Sequence, residues 1–364
     1  MDIKKQLLSL TPYQPGKPME EVKRELKLEK IVKLASNENP FGCSNNVKTA
    51  IVDQLEKAAT YPDGYARQLR ETLATHLSVS EHELIFGNGS DEVIQMICRA
   101  LLHSGKNTVM ATPTFPQYKH NAIIEGAEVR EVLIIDGHHQ LDEMLSQIDE
   151  NTAIVWLCSP NNPTGTYISE DKLLNFIQQV PNTTLIVVDE AYKEYVTAED
   201  YPETLKLLSD YPNLLITRTF SKAYGLASFR IGYGVANKEL IQLLEPAREP
   251  FNTNSMAQVA ATAGILDQQF IKECVQKNKE GLQQFYSFCQ ELNLAYYQSE
   301  GNFILIDFET DADTLFNYLL TKGFIVRSGT ALGYPTCLRI TIGTLEQNAE
   351  IISHLKEFKL KQAI

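Results

Sequence analysis

Short apolar runs alternate with amphipathic segments through the middle of the chain. The runs are rich in β-branched residues and occupy 107–112, 128–135, 152–158, 183–190, 213–220 and 231–236. A strand whose apolar run is nearly continuous is buried on both faces, as in a mostly parallel sheet that helices cover. The alternation of strands with helices therefore predicts a layered α/β domain.

The pattern changes on either side of this region. Residues 1–42 contain the proline-rich "TPYQPGKP" at 11–18, a charged helical segment at 19–30 and a strand with a turn at 31–42. After about residue 238, a helical stretch is broken by Pro246 and Pro250, and a short α+β pattern follows. We expect an N-terminal arm (1–42) that packs with a small domain, a large domain (43–245) and the small C-terminal domain itself (246–364).

The composition limits the classes of binding partner and the cellular compartment that we expect. The formal net charge of -13 argues against nucleic acid and anionic membranes as partners. The six cysteines have no C-x-x-C spacing, which predicts free thiols in a reducing compartment and no metal site. The N-terminal "LLSL" is too short for a signal-peptide core, and no apolar run approaches a membrane span. We expect a cytoplasmic protein.

Polar motifs follow the predicted strands, where the active sites of open α/β sheets lie. In "IFGNGSDE", a turn leads through Gly89, Ser90 and Asp91 into a helix whose first N–H groups could hold a phosphate. An ordinary helix cap is the alternative. The motif lacks the third glycine of the dinucleotide fingerprint.

Three further motifs each allow two interpretations. Phe115, in "ATPTFPQY", could stack on a flat ring or fill the core. Asn162, in "CSPNNPTG", could bind a ligand oxygen or belong to a structural turn. Asp189, in "LIVVDEAY", ends an apolar strand three residues before Tyr192, and it is either a helix cap or a buried carboxylate that needs a partner.

The segment "TFSKAYGLASFRIGYG" (219–234) carries a lysine, Lys222, among small and hydroxyl residues. Thr219, Ser221 and Arg230 offer hydroxyls and a cationic fork. A surface lysine and a surface ion pair are the alternatives. Taken together, however, the motifs supply what pyridoxal phosphate requires: a lysine for a Schiff base, an acid for the pyridinium nitrogen, and phosphate ligands.

At this point the chain resembles a known family. The motifs "NGSDE", "PTFPQY", "SPNNPTG", "VVDEAY" and "TFSKAYGLASFRIG" are similar to those of the fold-type-I, class I/II pyridoxal-phosphate aminotransferases, over nearly the whole chain. The resemblance implies an α/β fold, with a large domain whose mostly parallel central sheet lies between helices and a smaller α+β C-terminal domain.

One branch of the family is more similar than the rest. "PYQPGKP", "KLASNENPFG", "YPDG" and "LRITIGT" look like the branch that acts on histidinol phosphate. This resemblance implies transamination of L-histidinol phosphate with 2-oxoglutarate to imidazole acetol phosphate and glutamate, in histidine biosynthesis.

The resemblance also implies roles for individual residues. Lys222 forms the Schiff base and moves the proton, Asp189 pairs with the ring nitrogen, and Phe115 stacks on the ring. Asn162 and Tyr192 bind the phenolic oxygen. The phosphate ligands implied are Gly89, Ser90, Asp91, Thr219, Ser221 and Arg230.

Further matches concern the substrate and a second subunit. Arg339, in "LRITIG", matches the arginine for the substrate carboxylate, with Arg327 and Tyr13 as candidate helpers for the substrate phosphate and Asn37 as a candidate lining residue of the same pocket. For Arg327, an ordinary surface charge is the alternative. Tyr61, in "ATYPDG", matches a tyrosine that reaches the phosphate of a neighbouring subunit, which implies a homodimer with shared active sites. A turn aromatic before a proline is the alternative for Tyr61.

Three other functions stay open. An aminotransferase for aromatic amino acids needs a similar ring pocket. A decarboxylase of an amino-acid phosphate would use the same cofactor residues. A non-catalytic regulator on this fold predicts the loss of Lys222, Asp189 or Arg230, and the sequence has all three.

Overall fold

The computed structural model describes residues 3–10 and 19–362, so that Tyr13 lies outside the described residues. The helices are α1 Met19–Leu26, α2 Asn45–Gln54, α3 Arg67–Leu77, α4 Ser90–Leu101, α5 Gln117–Glu125, α6 Leu141–Ser146, α7 Glu170–Gln179, α8 Lys238–Leu244, α9 Ser255–Leu266, α10 Gln268–Glu291, α11 Ala312–Thr321 and α12 Leu345–Gln362. The strands are β1 Val32–Lys33, β2 Leu84–Gly87, β3 Asn107–Thr112, β4 Glu128–Leu133, β5 Thr152–Cys158, β6 Leu185–Asp189, β7 Leu214–Thr219, β8 Gly232–Ala236, β9 Phe303–Asp307, β10 Phe324–Ile325, β11 Arg327–Ser328 and β12 Cys337–Thr341.

A seven-stranded sheet forms the centre of the large domain, in the order β2-β8-β7-β6-β5-β3-β4. Strand β8 is antiparallel to both of its neighbours, and the pairs from β7 to β4 are parallel. Strands β5, β6, β7 and β8 are buried along their whole length, as their apolar runs predict. The predicted α/β fold with a mostly parallel central sheet is confirmed.

Apolar side chains fill both faces of this sheet. One core includes Val155, Val188 and Ile216, and the core on the other face includes Ile154, Val187 and Leu215. Because neighbouring residues of a strand point to opposite faces, an uninterrupted apolar run supplies both cores at once. The carboxyl ends of β5, β6 and β7 therefore emerge together from a rigid sheet, followed by the polar motifs.

The small domain has its own sheet and core. Strands β11, β12 and β9 form an antiparallel sheet in that order. Its core runs from Leu282 in α10 to Phe358 in α12. Helix α9 belongs instead to the large core through Ala257, Ala260 and Ile265, although it follows residue 246. The structure thus differs from the expected boundary, because the two prolines end helices without ending the packing of the chain on the large domain.

The N-terminal segment contacts both domains. Strand β1 pairs with β10 of the small domain, and Val32 and Leu34 lie in the small core. Residues 3–10 lie instead against α5, where the side chains of Lys4 and Gln6 donate to the carbonyl oxygen of Ile124 at 3.3 and 3.2 Å. Only part of the expected arm therefore packs on the small domain. Within 3–10 and 19–362, no helix combines the length and apolar character of a membrane span.

Candidate active site

Lys222 lies in the turn that follows β7. The turn is closed by hydrogen bonds from the Gly225 N–H to the Lys222 carbonyl (2.9 Å) and from the Leu226 N–H to the Phe220 carbonyl (3.0 Å). The Nζ of Lys222 donates to the carbonyl oxygen of Ser36 at 3.1 Å. Burial, with the positive charge of Arg339, lowers the pKa of Lys222 to about 8. This lysine is therefore a candidate nucleophile and base near neutral pH.

Asp189 ends β6 with 3% of its surface exposed. The hydroxyl of Tyr118 donates to its Oδ2 at 2.5 Å, and the Tyr118 ring stacks on Trp156 with 4.7 Å between centroids. Within the described part of the chain, no donor is in hydrogen-bonding position to Oδ1. Burial raises the pKa of Asp189 to about 6, and the hydrogen bond from Tyr118 offsets this only in part. A buried carboxylate oxygen without a donor is suited to a cationic N–H group of a ligand.

Tyr118 is a site residue that the sequence analysis did not single out. It is fully buried, and the ring of Phe115 packs edge-on against it with centroids 5.6 Å apart. The signal was present in "PTFPQY", since a buried tyrosine must find a hydrogen-bond partner and Asp189 was predicted to need one.

An anion cradle surrounds the start of α4. The helix begins after Gly89 with no side-chain cap, which leaves N–H groups of its first turn for a ligand. Arg230 reaches the cradle with Nη2 3.1 Å from Asp91 Oδ2 and Nη1 3.3 Å from Ser221 Oγ. A Cβ at Gly89 would lie 2.5 Å from Arg230 Nη2. Glycine at this position therefore lets the guanidinium approach the helix start.

A second glycine lets strand β8 pack closely against this cradle. A Cβ at Gly232 in β8 would collide with the backbone of Gly89 and Ser90. The side chain of Thr219 lies beside the same turn, since the Ser221 N–H donates to Thr219 Oγ1 at 3.1 Å. The structure thus brings together Gly89, Ser90, Asp91, Thr219, Ser221 and Arg230.

Tyr192 lies beside Lys222, whose Nζ is 5.7 Å from the tyrosine ring centroid. Its hydroxyl oxygen accepts a hydrogen bond from Asn37 Nδ2 at 2.9 Å. Burial raises the pKa of Tyr192 to about 12, so that the phenol keeps its proton at neutral pH. Its ring packs edge-on against Phe303 with 5.0 Å between centroids.

Two arginines of the small domain face the same site. Nη1 of Arg339 donates to Asn162 Oδ1, and Nη2 to the carbonyl of Ala35, both at 2.6 Å. Arg327 in β11 pairs in register with Arg339 in β12. Directly opposed residues of an antiparallel pair share one face of the sheet, so both guanidinium groups extend from the same face.

Tyr61 lies apart from these residues. It is 82% exposed and stacks on Phe251 with 4.9 Å between ring centroids. Within one chain, the structure records no hydrogen bond between Tyr61 and the other predicted site residues that it describes. Tyr61 can therefore contribute to an active site only if that site belongs to a second chain.

The geometry supplies an amine of lowered pKa, a buried carboxylate, a phenol donor, a cradle for an anion and two guanidinium groups. Such a set can hold a dianionic group at one end and an anionic substrate at the other. It leaves the amine between them for nucleophilic and proton-transfer chemistry.

Comparisons with known proteins agree with this chemistry. Residues 29–355 match the family model described as aminotransferase class I and II. The histidinol-phosphate aminotransferase of Anoxybacillus flavithermus is 63% identical over 355 residues, which cover 98% of this chain and 96% of that protein.

Solved structures give the same fold. The histidinol-phosphate aminotransferase of Sinorhizobium meliloti, crystallised in complex with pyridoxal-5'-phosphate, superposes with a TM-score of 0.89 at 28% identity, over 98% of this chain and 96% of that one. The L-threonine-O-3-phosphate decarboxylase of Porphyromonas gingivalis has a TM-score of 0.79 at 24% identity, over 90% and 99% of the two chains, and this likeness shows the fold alone. On the family match and the full-length identity, this chain belongs to the class I and II aminotransferases.

Proposed function

We propose that the chain catalyses the pyridoxal-phosphate-dependent transamination of L-histidinol phosphate with 2-oxoglutarate. The observation that carries the proposal is Lys222 held beside Tyr192 and Arg339, in a chain 63% identical over nearly its full length to a histidinol-phosphate aminotransferase. The assignment of pyridoxal phosphate as the cofactor rests on the residues of the site as well as on the relatives.

The residues fit this cofactor at three separate points. Asp189 Oδ1 is a buried oxygen without a donor, as a protonated pyridine nitrogen requires. The cradle at Gly89 fits a phosphate because the start of α4 has no side-chain cap and the Arg230 guanidinium approaches it closely. Lys222 carries the amine of lowered pKa between them.

When bound, pyridoxal phosphate supplies an electrophilic aldehyde and a pyridinium ring that accepts electrons. Lys222 Nζ, unprotonated in a large fraction of molecules near pH 8, would supply the amine that the cofactor's aldehyde requires and a base for the substrate's Cα proton. Asp189 holds the proton on the ring nitrogen through its free oxygen. Phe115 packs beside Tyr118 and supports the ring region.

The remaining residues of the cofactor site bind the cofactor and take no part in the chemical steps. Arg230, the hydroxyls of Ser221 and Thr219 and the start of α4 bind the phosphate through charge-assisted hydrogen bonds. Tyr192 would donate its retained proton to the phenolic oxygen, and Asn162, whose Oδ1 accepts from Arg339, would donate its amide to the same oxygen. These contacts would hold the cofactor independently of Lys222.

At the substrate end, Arg339 and Arg327 bind the anionic arm. A guanidinium fork suits a carboxylate and a phosphate alike, which is what glutamate and histidinol phosphate demand of one site. The side chain of Arg327 forms no ion pair or hydrogen bond with the residues described in 3–10 and 19–362, so its fork is available to the second anion. Asn37 lines the same pocket through its bond to Tyr192.

The chain also acts, in our proposal, as a homodimer with shared active sites. Tyr61 and Phe251 are 82% and 47% exposed, although they stack on each other. Val52 and Leu55, at the end of α2 and just after it, are also more than half exposed. Exposed aromatic and aliphatic side chains of this size favour burial against a second copy. Tyr61 would then reach the phosphate cradle of the partner.

The test is a comparison of amino donors. Purified protein is loaded with pyridoxal phosphate and mixed with histidinol phosphate or phenylalanine, and the loss of visible cofactor absorbance is timed. Histidinol phosphate should react faster by orders of magnitude, and glutamate should form once 2-oxoglutarate is added. Faster reaction with phenylalanine would favour the aromatic aminotransferase, whereas release of CO2 without glutamate would favour the decarboxylase.

Two variants connect this test to the site. Lys222→Ala should bind cofactor without covalent attachment and lose transamination, whereas Lys238→Ala, on the exposed start of α8, should behave as wild type. Arg327→Met should raise KM for histidinol phosphate more than for glutamate. An equal change for both substrates would contradict the role of Arg327.

A further inference from the structure

Thr341 belongs to a buried polar relay that the sequence did not indicate. It ends β12 with 2% of its surface exposed and lies two residues after Arg339. Its Oγ1 accepts a hydrogen bond from the Asn37 N–H at 2.9 Å and donates to Asn37 Oδ1 at 3.1 Å. Asn37 Nδ2 in turn donates to the hydroxyl oxygen of Tyr192 at 2.9 Å.

The backbone at Asn37 is fixed from both sides. Its φ of 55° is the left-handed conformation that asparagine tolerates better than most residues. Its carbonyl oxygen accepts from Asn302 Nδ2 at 2.9 Å, and its side chain is buried. The remaining freedom of Asn37 is therefore the orientation of its amide, in which the oxygen and nitrogen can exchange places.

The hydroxyl of Thr341 removes that freedom. Oγ1 accepts from the Asn37 N–H and its proton bonds the amide oxygen, which places the amide nitrogen toward Tyr192, whereas a reversed amide would deprive the buried threonine proton of this acceptor. The Tyr192 oxygen becomes an acceptor toward Asn37, and its own proton is left for another partner. With the amide reversed, Asn37 Oδ1 would instead take the tyrosine proton.

We propose that Thr341 is a positioning residue that sets the direction of this relay, so that Tyr192 accepts from Asn37 and donates its proton to the ring oxygen of the cofactor. The inference rests on the proposed function, in which that oxygen lies at Tyr192. Strand β12 thus serves the site twice, since Arg339 binds substrate and Thr341 orients the tyrosine. Phe303, the register partner of Thr341, holds the ring of Tyr192 edge-on.

The relay affects the electronic state of the bound cofactor. A hydrogen bond donated to the ring oxygen stabilises its negative charge and lowers the proton affinity of the nitrogen that links the cofactor to Lys222. Without the Thr341 hydroxyl, a fraction of Asn37 amides reverse and withdraw the tyrosine proton. The pH midpoint of the visible cofactor absorbance should then move upward.

The experiment titrates the visible absorbance of the holoenzyme in a set of variants. Thr341→Val keeps the shape and removes the hydroxyl, and we expect its midpoint to rise by about one pH unit, the size of one lost hydrogen bond. Tyr192→Phe gives the full shift, and Thr341→Val added to it should shift the midpoint no further. Thr341→Ser keeps the hydroxyl and should titrate as wild type.

A matched control separates this role from a structural one. Thr184 is also a buried threonine, but its Oγ1 donates to the Thr152 carbonyl at 2.9 Å, at the opposite end of the sheet. Thr184→Val should lower the Tm of the cofactor-free protein and leave the midpoint unchanged. If Thr341→Val folds poorly, Thr341→Ala provides a second variant without the hydroxyl.

The outcomes distinguish this inference from the proposed function. Wild-type midpoints in both hydroxyl-free variants, with a clear shift in Tyr192→Phe, would overturn the role of Thr341 alone. An unchanged midpoint in Tyr192→Phe would overturn both that role and the assignment of Tyr192. Failure of the wild-type protein to develop a visible band with pyridoxal phosphate would refute the proposed function and the inference with it.

Discussion

Burial favours the neutral forms of Lys222 and Asp189. It therefore lowers the pKa of the lysine and raises that of the aspartate. The pKa of Lys222 falls to about 8 and that of Asp189 rises to about 6, because both charged forms lose water on burial. Neither group is neutralised by a close ion pair in the described chain. Both are therefore prepared for a ligand that carries the complementary charge.

The first prediction concerns the reactivity of the amine. In cofactor-free protein, the pH profile for reductive methylation of Lys222 should have its midpoint near 8, compared with about 10.4 for an unperturbed lysine. Peptide mass spectrometry measures the profile. Arg339→Met should move the midpoint upward, because the arginine charge contributes to the lowered pKa. A profile centred near 10 in wild type would contradict the buried environment.

The second prediction concerns the stability of the cofactor-free protein. The pKa of Asp189 is raised from an unfolded value of about 4 to about 6, so the folded state keeps a proton that the unfolded state loses. Its contribution to stability is complete below about pH 4 and is lost as the pH rises through 6. Asp189→Asn should therefore be more stable than wild type by about 3 kcal/mol at pH 8, since a difference of one pKa unit corresponds to about 1.4 kcal/mol.

Urea unfolding at pH 5 and pH 8 measures the effect. The gap between variant and wild type should be larger at pH 8, and pyridoxal phosphate should stabilise wild type but much less the variant. A gap independent of pH would mean that Asp189 is ionised in the folded state at both values.

At the scale of elements, strand ends and one helix start define the site. Glu190 and Arg218 connect the ends of β6 and β7, with Arg218 Nη2 2.7 Å and Nε 2.8 Å from Glu190 Oε2. Tyr201 and Thr204 donate to the other carboxylate oxygen at 3.1 and 2.9 Å. Both residues of the pair are buried, and Glu190 directly follows Asp189 in the sequence. The ion pair therefore holds the ends of the neighbouring strands β6 and β7 together.

The third prediction tests that ion pair. Arg218→Met leaves a buried carboxylate unpaired and should lower the free energy of unfolding by about 3–5 kcal/mol. Adding Glu190→Gln removes the charge but keeps an acceptor for Tyr201 and Thr204, and much of the loss should be recovered. Chemical denaturation of the two variants measures the difference. A double variant no more stable than Arg218→Met would show that packing, not charge, dominates.

The fourth prediction concerns the approach of β8 to α4. Gly232→Ala places a methyl group against the backbone of Gly89 and Ser90, so the start of α4 must move. We expect a loss of at least tenfold in affinity for pyridoxal phosphate, since helix-terminus contacts depend on position. Equilibrium binding by absorbance or fluorescence measures it.

The control lies on the same strand. The nearest atoms to a Cβ at Gly234 are side-chain methyl groups of Ile85, Val93 and Leu215, at 3.0, 3.1 and 3.7 Å. Gly234→Ala should lower stability while cofactor affinity stays within a few-fold of wild type. Equal losses of affinity in both variants would indicate a general effect of crowding at β8.

At the scale of the whole molecule, the site lies where two independently packed cores meet. Lys222 and Asp189 come from the large domain, whereas Arg327 and Arg339 come from the small one. Segment 34–37 connects them, because Ser36 accepts from Lys222 and Ala35 accepts from Arg339. The site thus requires both domains in their observed arrangement.

The fifth prediction tests whether sites are shared between two copies. Tyr61→Ala and Lys222→Ala homodimers should each have little activity. Mixing and re-equilibrating them should produce hybrids in which one site contains both defects and the other none. Transaminase activity should therefore rise above that of either parent, toward about a quarter of wild type for random mixing of equal amounts with exchange of subunits. No rise, with exchange verified by native mass spectrometry, would refute shared sites.

The sequence by itself determined the fold class and the position of the chemistry along the chain. Six predicted runs coincide with β3 to β8 to within two residues at each end, because a strand buried on both faces is rich in apolar side chains. The edge strand β4 is the exception, since it is only partly buried and carries Glu128, Arg130 and Glu131. It also placed the motifs of Lys222 and Asp189 directly after strands β7 and β6, and strand ends on one edge must lie close together.

Only the tertiary structure decided which neighbours these residues have. In "NNP", the side chain of Asn161 forms hydrogen bonds with Thr114 and Thr164 of the large domain. The side chain of Asn162 instead accepts a hydrogen bond from Arg339 of the small domain. Tyr118 and Thr341 joined the site through contacts that span 71 and 304 residues of chain. The packing of α9 on the large core was decided in the same way. The local sequence pattern predicts whether a segment is a helix or a strand, because each has its own periodicity. The hydrogen-bond partner of a buried polar atom depends instead on how distant segments pack, which local periodicity does not predict.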